Sequence, residues 1–150
     1  MGQHDGVFIT NHVLAGALIG NALPPVAAVA VGFASHLAMD NLPHYGRGDG
    51  QLHLPTARKD GLLGLTGIAV CATLARPERR IAVLAGIFGA CLPDTDKLGE
   101  HFAGRSPWPA RFDRFHKRIQ REARNRMPIE VATATGLLLV ACRTLPARER

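Results

Sequence analysis

Apolar positions along this chain run in long blocks, and proline or glycine stands at almost every junction between them. That punctuation predicts helices separated by short breaks. A first helix covers 10–21, with Thr10 or Asn11 able to cap it, and "LPP" at 23–25 ends it. The second covers 24–41, with proline in its first turn, where the missing N–H costs nothing. Leu42 precedes Pro43 and is pushed out of helical geometry, so this helix stops there. A polar loop follows. The third helix is 57–75, and "RPERR" separates it from a fourth at 80–92. Residues 93–108 read as loop, 109–124 as a strongly basic fifth helix, and 128–143 as an apolar sixth. No segment shows strand alternation. The expected fold class is all-α: one compact bundle of about six helices, several rich in glycine and alanine, forming a single domain over 1–150.

The same blocks raise the question of a membrane. A spanning helix needs about 20 apolar residues. Residues 13–34 reach that length, but Asn21 and two prolines interrupt them, and the runs 61–75, 81–93 and 131–142 are shorter. Arg58, Lys59, Arg76, Arg79, Arg80 and Arg143 flank these runs, and long basic side chains can snorkel to extend a short span. Positive charge at so many junctions leaves the orientation open. Gly16 and Gly20 form a GxxxG pair, Gly61, Gly64 and Gly67 mark the third helix, and Gly86 and Gly89 the fourth. Small residues let helices approach closely where no water drives them together. The expectation is a domain embedded in, or tightly associated with, a membrane; the alternative is a soluble bundle with tight crossings.

Composition changes the picture in two ways. A chain of 150 residues carries a hydrophobic core, and its formal net charge of +6 suits an acidic partner: anionic lipid, a phosphorylated substrate or nucleic acid. Aromatics are only 5% of residues, which argues against nucleic-acid binding by base stacking. Cys71, Cys91 and Cys142 each sit in an apolar run without a CxxC pair, and read as reduced, buried hydrophobes. The start lacks the basic region of a signal peptide, and Gly6 breaks the myristoylation pattern.

Ionisable residues interrupt or end the apolar blocks at His12, His36, Asp40, His44, Asp60, Asp94, His116 and Glu130. His36 and Asp40 are four apart and share a helix face. His44 follows the helix stop, where a turn can bring it back over that face. His12 opens the stripe His12–Gly16–Gly20, and Asp60 opens Asp60–Gly64. In the fifth helix Phe112, Phe115, His116 and Ile119 form the inward face, with Arg111, Arg114, Lys117, Arg118 and Arg121 on the others. Glu130 shares a face with Ala134, Leu137 and Ala141. His4, His53 and His101 are expected in exposed loops, and Asp96 and Glu100 as loop or cap residues. A buried polar group without a partner costs about 2–7 kcal/mol, against a whole-domain stability of about 5–15 kcal/mol. Such a set must therefore satisfy itself. Taken singly, His36–Asp40 is an ordinary helix-surface pair and His116 a satisfied core histidine. Taken together, imidazoles and carboxylates make a ligand set for a divalent metal, Zn²⁺ before Mn²⁺ or Fe²⁺.

The elements "NHVLAGALIG", "SHLAMDNLPH", "LPDTD" and "FHKRIQ" occur in this order over 11–138. In this they resemble the bacterial membrane-bound metal-dependent hydrolases, and most of all small uncharacterised proteins related to that group. Lys97 stands where better-known members have histidine, and their later HRGxTHS-like motif is missing. The resemblance implies a helical protein of the bacterial inner (cytoplasmic) membrane, with a cytoplasmic location as the alternative. Residues 35–46 also resemble, more faintly, a ligand segment of the zinc phospholipase C and nuclease P1 group, which would give metal roles to His36, Asp40 and His44.

The functional expectation is a metal-dependent hydrolase of a phosphoester, with lipid as partner. Its mono- or dinuclear site would draw on His12, His36, Asp40, His44 and Asp60, completed by His116 or Asp94. Asp94 or Glu130 would act as general base, and Arg114 and Arg118 would neutralise substrate phosphate. The alternative is a non-catalytic membrane protein with a structural metal or a buried His/Asp network. A third reading, nucleic-acid binding through the basic helix, leaves the apolar helices unexplained. Oligomeric state stays open.

Overall fold

The computed structural model describes residues 8–46 and 54–146. These fold into seven α-helices and a small parallel ribbon, so the all-α expectation holds. His4 and His53 lie outside the described residues, as does most of the polar loop after Tyr45.

The helices are α1 (Ile9–Ala22), α2 (Pro25–Asp40), α3 (Leu54–Leu74), α4 (Arg80–Cys91), α5 (Thr95–Ala103), α6 (Ala110–Ile119) and α7 (Met127–Thr144). Short 3₁₀ turns, Pro77–Arg79 and Arg124–Arg126, lead into α4 and α7. Proline opens α2 as expected, and Leu42 and Pro43 end it. α1 begins at Ile9 with Phe8, which has no polar side chain, at its N-cap. At its other end the Arg79 guanidinium donates to the Gly20 and Leu23 carbonyls, at 2.9 and 2.7 Å, and satisfies groups the helix leaves open.

α1 is the central element. Glycines set its crossing with α4: a Cβ on Gly16 would stand 2.6 Å from the Gly86 carbonyl oxygen. Gly32 of α2 meets the same carbonyl, with 2.5 Å to a Cβ. The GxxxG pair therefore makes room chiefly for the α4 backbone. α3 and α7 run alongside α1 in the same sense. Asp60 meets Thr10 and Gly67 meets Val13; Glu130 meets Asn11, and Asn21 donates to the Thr144 carbonyl. α2 and α4 return. The core between them includes Val13, Leu14, Ala17, Cys71, Val83 and Leu145.

This arrangement puts the N-terminal ends of α1, α3 and α7 beside the C-terminal ends of α2 and α4. The remaining elements cover that end. Residues 93–108, expected as loop, contain α5, which stops at Gly104 in the left-handed conformation (φ 68°). Its few apolar residues, Leu98 and Phe102, are exposed, so no core-facing stripe announces it. The expected helix 109–124 ends at Ile119, because Gln120 is extended. β2 (Arg121–Ala123) then pairs in parallel with β1 (Pro43–Tyr45), in the register His44↔Glu122. Three-residue strands are too short to leave an alternation in the sequence. The ribbon ties the exit of α6 to the exit of α2.

Cys71 is buried and Cys91 half-buried, but Cys142 is exposed on α7, which corrects the expectation of three buried thiols; all three are free. Large apolar side chains also face outward: Val26, Leu62, Leu65, Ile81, Phe88 and Val131 are each more than half exposed. Among the described residues one helical stretch, Arg124–Thr144, is long and apolar enough to cross a membrane.

Candidate metal centre

α2 contributes two groups to the covered end of the bundle. His36 and Asp40, one turn apart, are both fully buried. The His36 Nδ1–H donates to the Ala90 carbonyl at 2.7 Å. A carbonyl only accepts, so the proton is on Nδ1 and the Nε2 lone pair points away from it. Asp94, just past the end of α4, comes within 3.5 Å of that Nε2.

α6 supplies the fourth group. An aromatic cluster seats this helix: Trp108 and Phe112 ring centroids are 4.6 Å apart, and each lies under 6 Å from Phe33 on α2. The Trp108 indole N–H donates to Thr95 Oγ1 at 2.9 Å, and Lys117 pairs with Glu100 at 3.0 Å. These contacts lower His116 fully into the site. Its Nδ1–H donates to Asp96 Oδ2 at 2.9 Å, so its Nε2 also offers a lone pair inward.

The two inward nitrogens are 3.2 Å apart. Asp40 Oδ2 lies 3.2 Å from His36 Nε2 and 2.9 Å from His116 Nε2. Asp94 Oδ1 is 3.5 Å from the first and 4.0 Å from the second. Four ligands held about 2.0–2.2 Å from a tetrahedral ion stand about 3.3–3.6 Å from one another. The observed spacings bracket that range, and all four donor atoms lie within 4.8 Å of each other. Two lone pairs and two carboxylates facing one point repel unless a cation or extra protons sit among them. His36, Asp40, Asp94 and His116 are thus a buried group able to hold a metal ion.

Charge around the group is finely balanced. Burial is the largest single influence on Asp94 and works against its ionisation, but the Lys97 ammonium at 2.6 Å and the His36 imidazole together outweigh it and hold the carboxyl well below the usual carboxylate range. Burial likewise disfavours the Lys97 charge, yet Asp94 and Asp40 keep its pKa above the ordinary lysine value. For His116 burial lowers the pKa; the hydrogen bonds to Asp40 and Asp96 reverse this and raise it overall. Gln120 donates to Asp40 Oδ2 at 3.3 Å, so the residue that ends α6 also touches the centre.

The other expected residues go elsewhere or stand at the edge. His12 is fully buried against the group, its ring stacked on His36. Asp60, expected as a ligand, caps α1 instead. Oδ2 accepts the Ile9 N–H at 2.6 Å, and Oδ1 accepts the Thr10 N–H and hydroxyl at 3.2 and 2.6 Å. Phe8 has no side-chain acceptor for these open N–H groups, and a carboxylate from α3 takes that place. Glu130, expected as a base, has both oxygens engaged. Oε2 accepts from the Asn11 amide at 2.5 Å and the Phe8 N–H at 3.4 Å, and Oε1 from the Tyr45 N–H at 3.2 Å. Neither belongs to the four-residue group. Nor does His44, because the chain continues into β1 after Pro43 and does not fold back over α2; its Nδ1–H donates to the Leu42 carbonyl at 2.9 Å. Arg114 and Arg118 are exposed on α6, and Phe115, assigned to the inward face, is 39% exposed. His101 is exposed but lies on α5, not in a loop. Asp96, expected as a loop or cap residue, is buried and orients His116. Its sequence signal was the second acid of "PDTD", two residues from Asp94. Compared with protein-family models, curated proteins and solved structures, the chain matches none.

Proposed function

We propose that this chain is a membrane-associated, metal-dependent hydrolase acting on a phosphoester. The observation that carries the reading is the convergence of His36, Asp40, Asp94 and His116, with both imidazoles turned to present Nε2. A divalent cation bound there supplies a Lewis acid and acidifies water toward neutral pH. Zn²⁺ suits two imidazoles and two carboxylates, with Mn²⁺ and Fe²⁺ as alternatives. Asp96 fixes the direction of His116. Lys97 helps keep Asp94 ionised, as a ligand must be, and Asp94, with a side chain 14% exposed, is the member of the group nearest solvent. Arg114 and Arg118 on the exposed face of α6 supply charge for a phosphate. The outward apolar side chains of α2, α3, α4 and α7 support a seat in lipid, as monomeric soluble proteins rarely expose such broad patches. The likeness of the four sequence elements to bacterial inner-membrane proteins points the same way.

One observation favours a second reading, a structural metal or closed polar network: three of the four residues are fully buried. The purified chain, assayed for metal content and for hydrolysis of a chromogenic phosphodiester, separates the two. Turnover that chelator abolishes and Zn²⁺ or Mn²⁺ restores supports hydrolysis. Bound metal with no turnover across a panel of phosphoesters and carboxylic esters sinks the enzyme and leaves the structural role.

A further inference from the structure

His12 is fully buried on α1, and neither of its ring nitrogens has a hydrogen-bond partner. Native interiors rarely leave a buried imidazole wholly unsatisfied. Its Nε2 stands 3.4 Å from Asp40 Oδ1, a long contact that leaves both atoms without a hydrogen bond of ordinary geometry. The other oxygen of the same carboxylate, Oδ2, belongs to the four-residue group.

The ring geometry makes this more than a missed hydrogen bond. His12 and His36 are stacked, with centroids 3.9 Å apart and planes 20° from parallel. The two rings therefore present Nε2 atoms side by side to the two oxygens of one carboxylate: His36 to Oδ2 at 3.2 Å, His12 to Oδ1 at 3.4 Å. In two-metal sites the ions lie about 3.5–4 Å apart, and rings stacked 3.9 Å apart can direct ligand atoms to two points at such a separation. A carboxylate with one oxygen directed to each ring is placed as a bridging ligand would be.

We infer that Asp40 bridges two divalent cations, one within His36, Asp40 Oδ2, Asp94 and His116, the other held by His12 Nε2 and Asp40 Oδ1. The inference rests on the reading that the four-residue group holds a cation. Two protein donors against four make the second ion the weaker, so it loads after the first. Imidazole with carboxylate accepts Mn²⁺, whose unpaired electrons report a close neighbour.

The test uses the full chain, stripped with chelator and titrated with Mn²⁺, followed by equilibrium dialysis and electron paramagnetic resonance. The expected result is two equivalents bound in two steps, with an exchange-coupled spectrum appearing in the second. His12→Gln loses the second equivalent and the coupling but keeps the first; His116→Gln weakens the first. The coupled spectrum of the parent chain needs no variant, so poor folding of His12→Gln does not blunt the test. A single equivalent in the parent, or two that His12→Gln leaves unchanged, overturns the second cation. In the first of those cases, sensitivity of the one ion to His116→Gln leaves the proposed function standing. A parent chain that binds neither Mn²⁺ nor Zn²⁺ removes both.

Discussion

Asp96 shows how one residue gives a ligand its direction. By accepting the His116 Nδ1–H at 2.9 Å it settles which nitrogen faces the four-residue group. Asp96→Asn keeps the size and removes the charge, and should lower metal affinity about 10–100-fold. Competition with a chromophoric chelator measures this; unchanged affinity would make Asp96 a packing residue only. His116 also sets a pH dependence. Its raised pKa means that in the metal-free protein its protonated form adds stability, fully present below the unfolded value and lost as pH rises through the folded one. A cation needs Nε2 free of its proton, so metal affinity runs the other way, and uptake releases protons. Burial lowers the His36 pKa, but Asp94 and Asp40 outweigh it and raise the value to about 10, so this imidazole must lose its Nε2 proton too. Affinity should therefore be markedly lower near about pH 5 than near about pH 8, and a titration showing none of that difference would place both imidazoles outside the site. His36, Asp40, Asp94 and His116 were legible because acids and imidazoles inside apolar blocks must find partners. Asp60 and Glu130 obey the same rule with different partners, the open N–H groups of Ile9 and Thr10 and the donors of Asn11 and Tyr45. A sequence shows that a carboxylate will be buried, not which donor reaches it.

Among the elements, the α1–α4 crossing decides where the ligands stand. Gly16 and Gly86 lie at backbone contact, so Gly16→Val forces helices apart. Overpacking of this kind costs about 1–3 kcal/mol or more, and because α4 carries Ala90, the anchor of His36, metal binding should weaken with it. Chemical denaturation read beside metal content tests the coupling; lost stability with intact metal affinity would separate the crossing from the site. α6 depends instead on aromatic contact. Phe33→Ala removes the α2 side of the Phe33–Trp108–Phe112 cluster and should weaken metal binding through His116 at a stability cost of about 1–3 kcal/mol. The break positions of α2 and the start of α4 followed from proline and charge. α5 was hidden because it is only nine residues long and carries two large apolar residues, too few to set a period, and its one clear mark was the stop at Gly104.

At the scale of the molecule, the bundle has a covered end where the ligands meet and sides that expose aliphatic and aromatic groups. If lipid covers those sides, the chain should stay with sedimented membranes through a high-salt wash and leave with detergent. Release by salt alone would reduce the association to surface charge. A cation held by the four residues would tie the covered end together, since they come from α2, α6 and the segment after α4. A cation at about 1,000 times its dissociation constant adds about 4 kcal/mol to stability. Chelation should therefore lower the melting temperature by several degrees, and an identical melt with and without chelator would leave the four residues without a cation.

The helical class, the second helix opened by proline and stopped before Pro43, and the set of acids and imidazoles from which the centre is drawn were all determined by the sequence itself. Each is a local matter of steric restriction, periodicity or the cost of burying charge. Which members of that set meet was decided only by tertiary structure. His36 and His116 are 80 residues apart, and their Nε2 atoms come within 3.2 Å only because a glycine crossing, an aromatic cluster and a three-residue ribbon bring three separate helices to one end. Contacts at that separation depend on how whole faces fit, and no window of neighbouring residues contains that information.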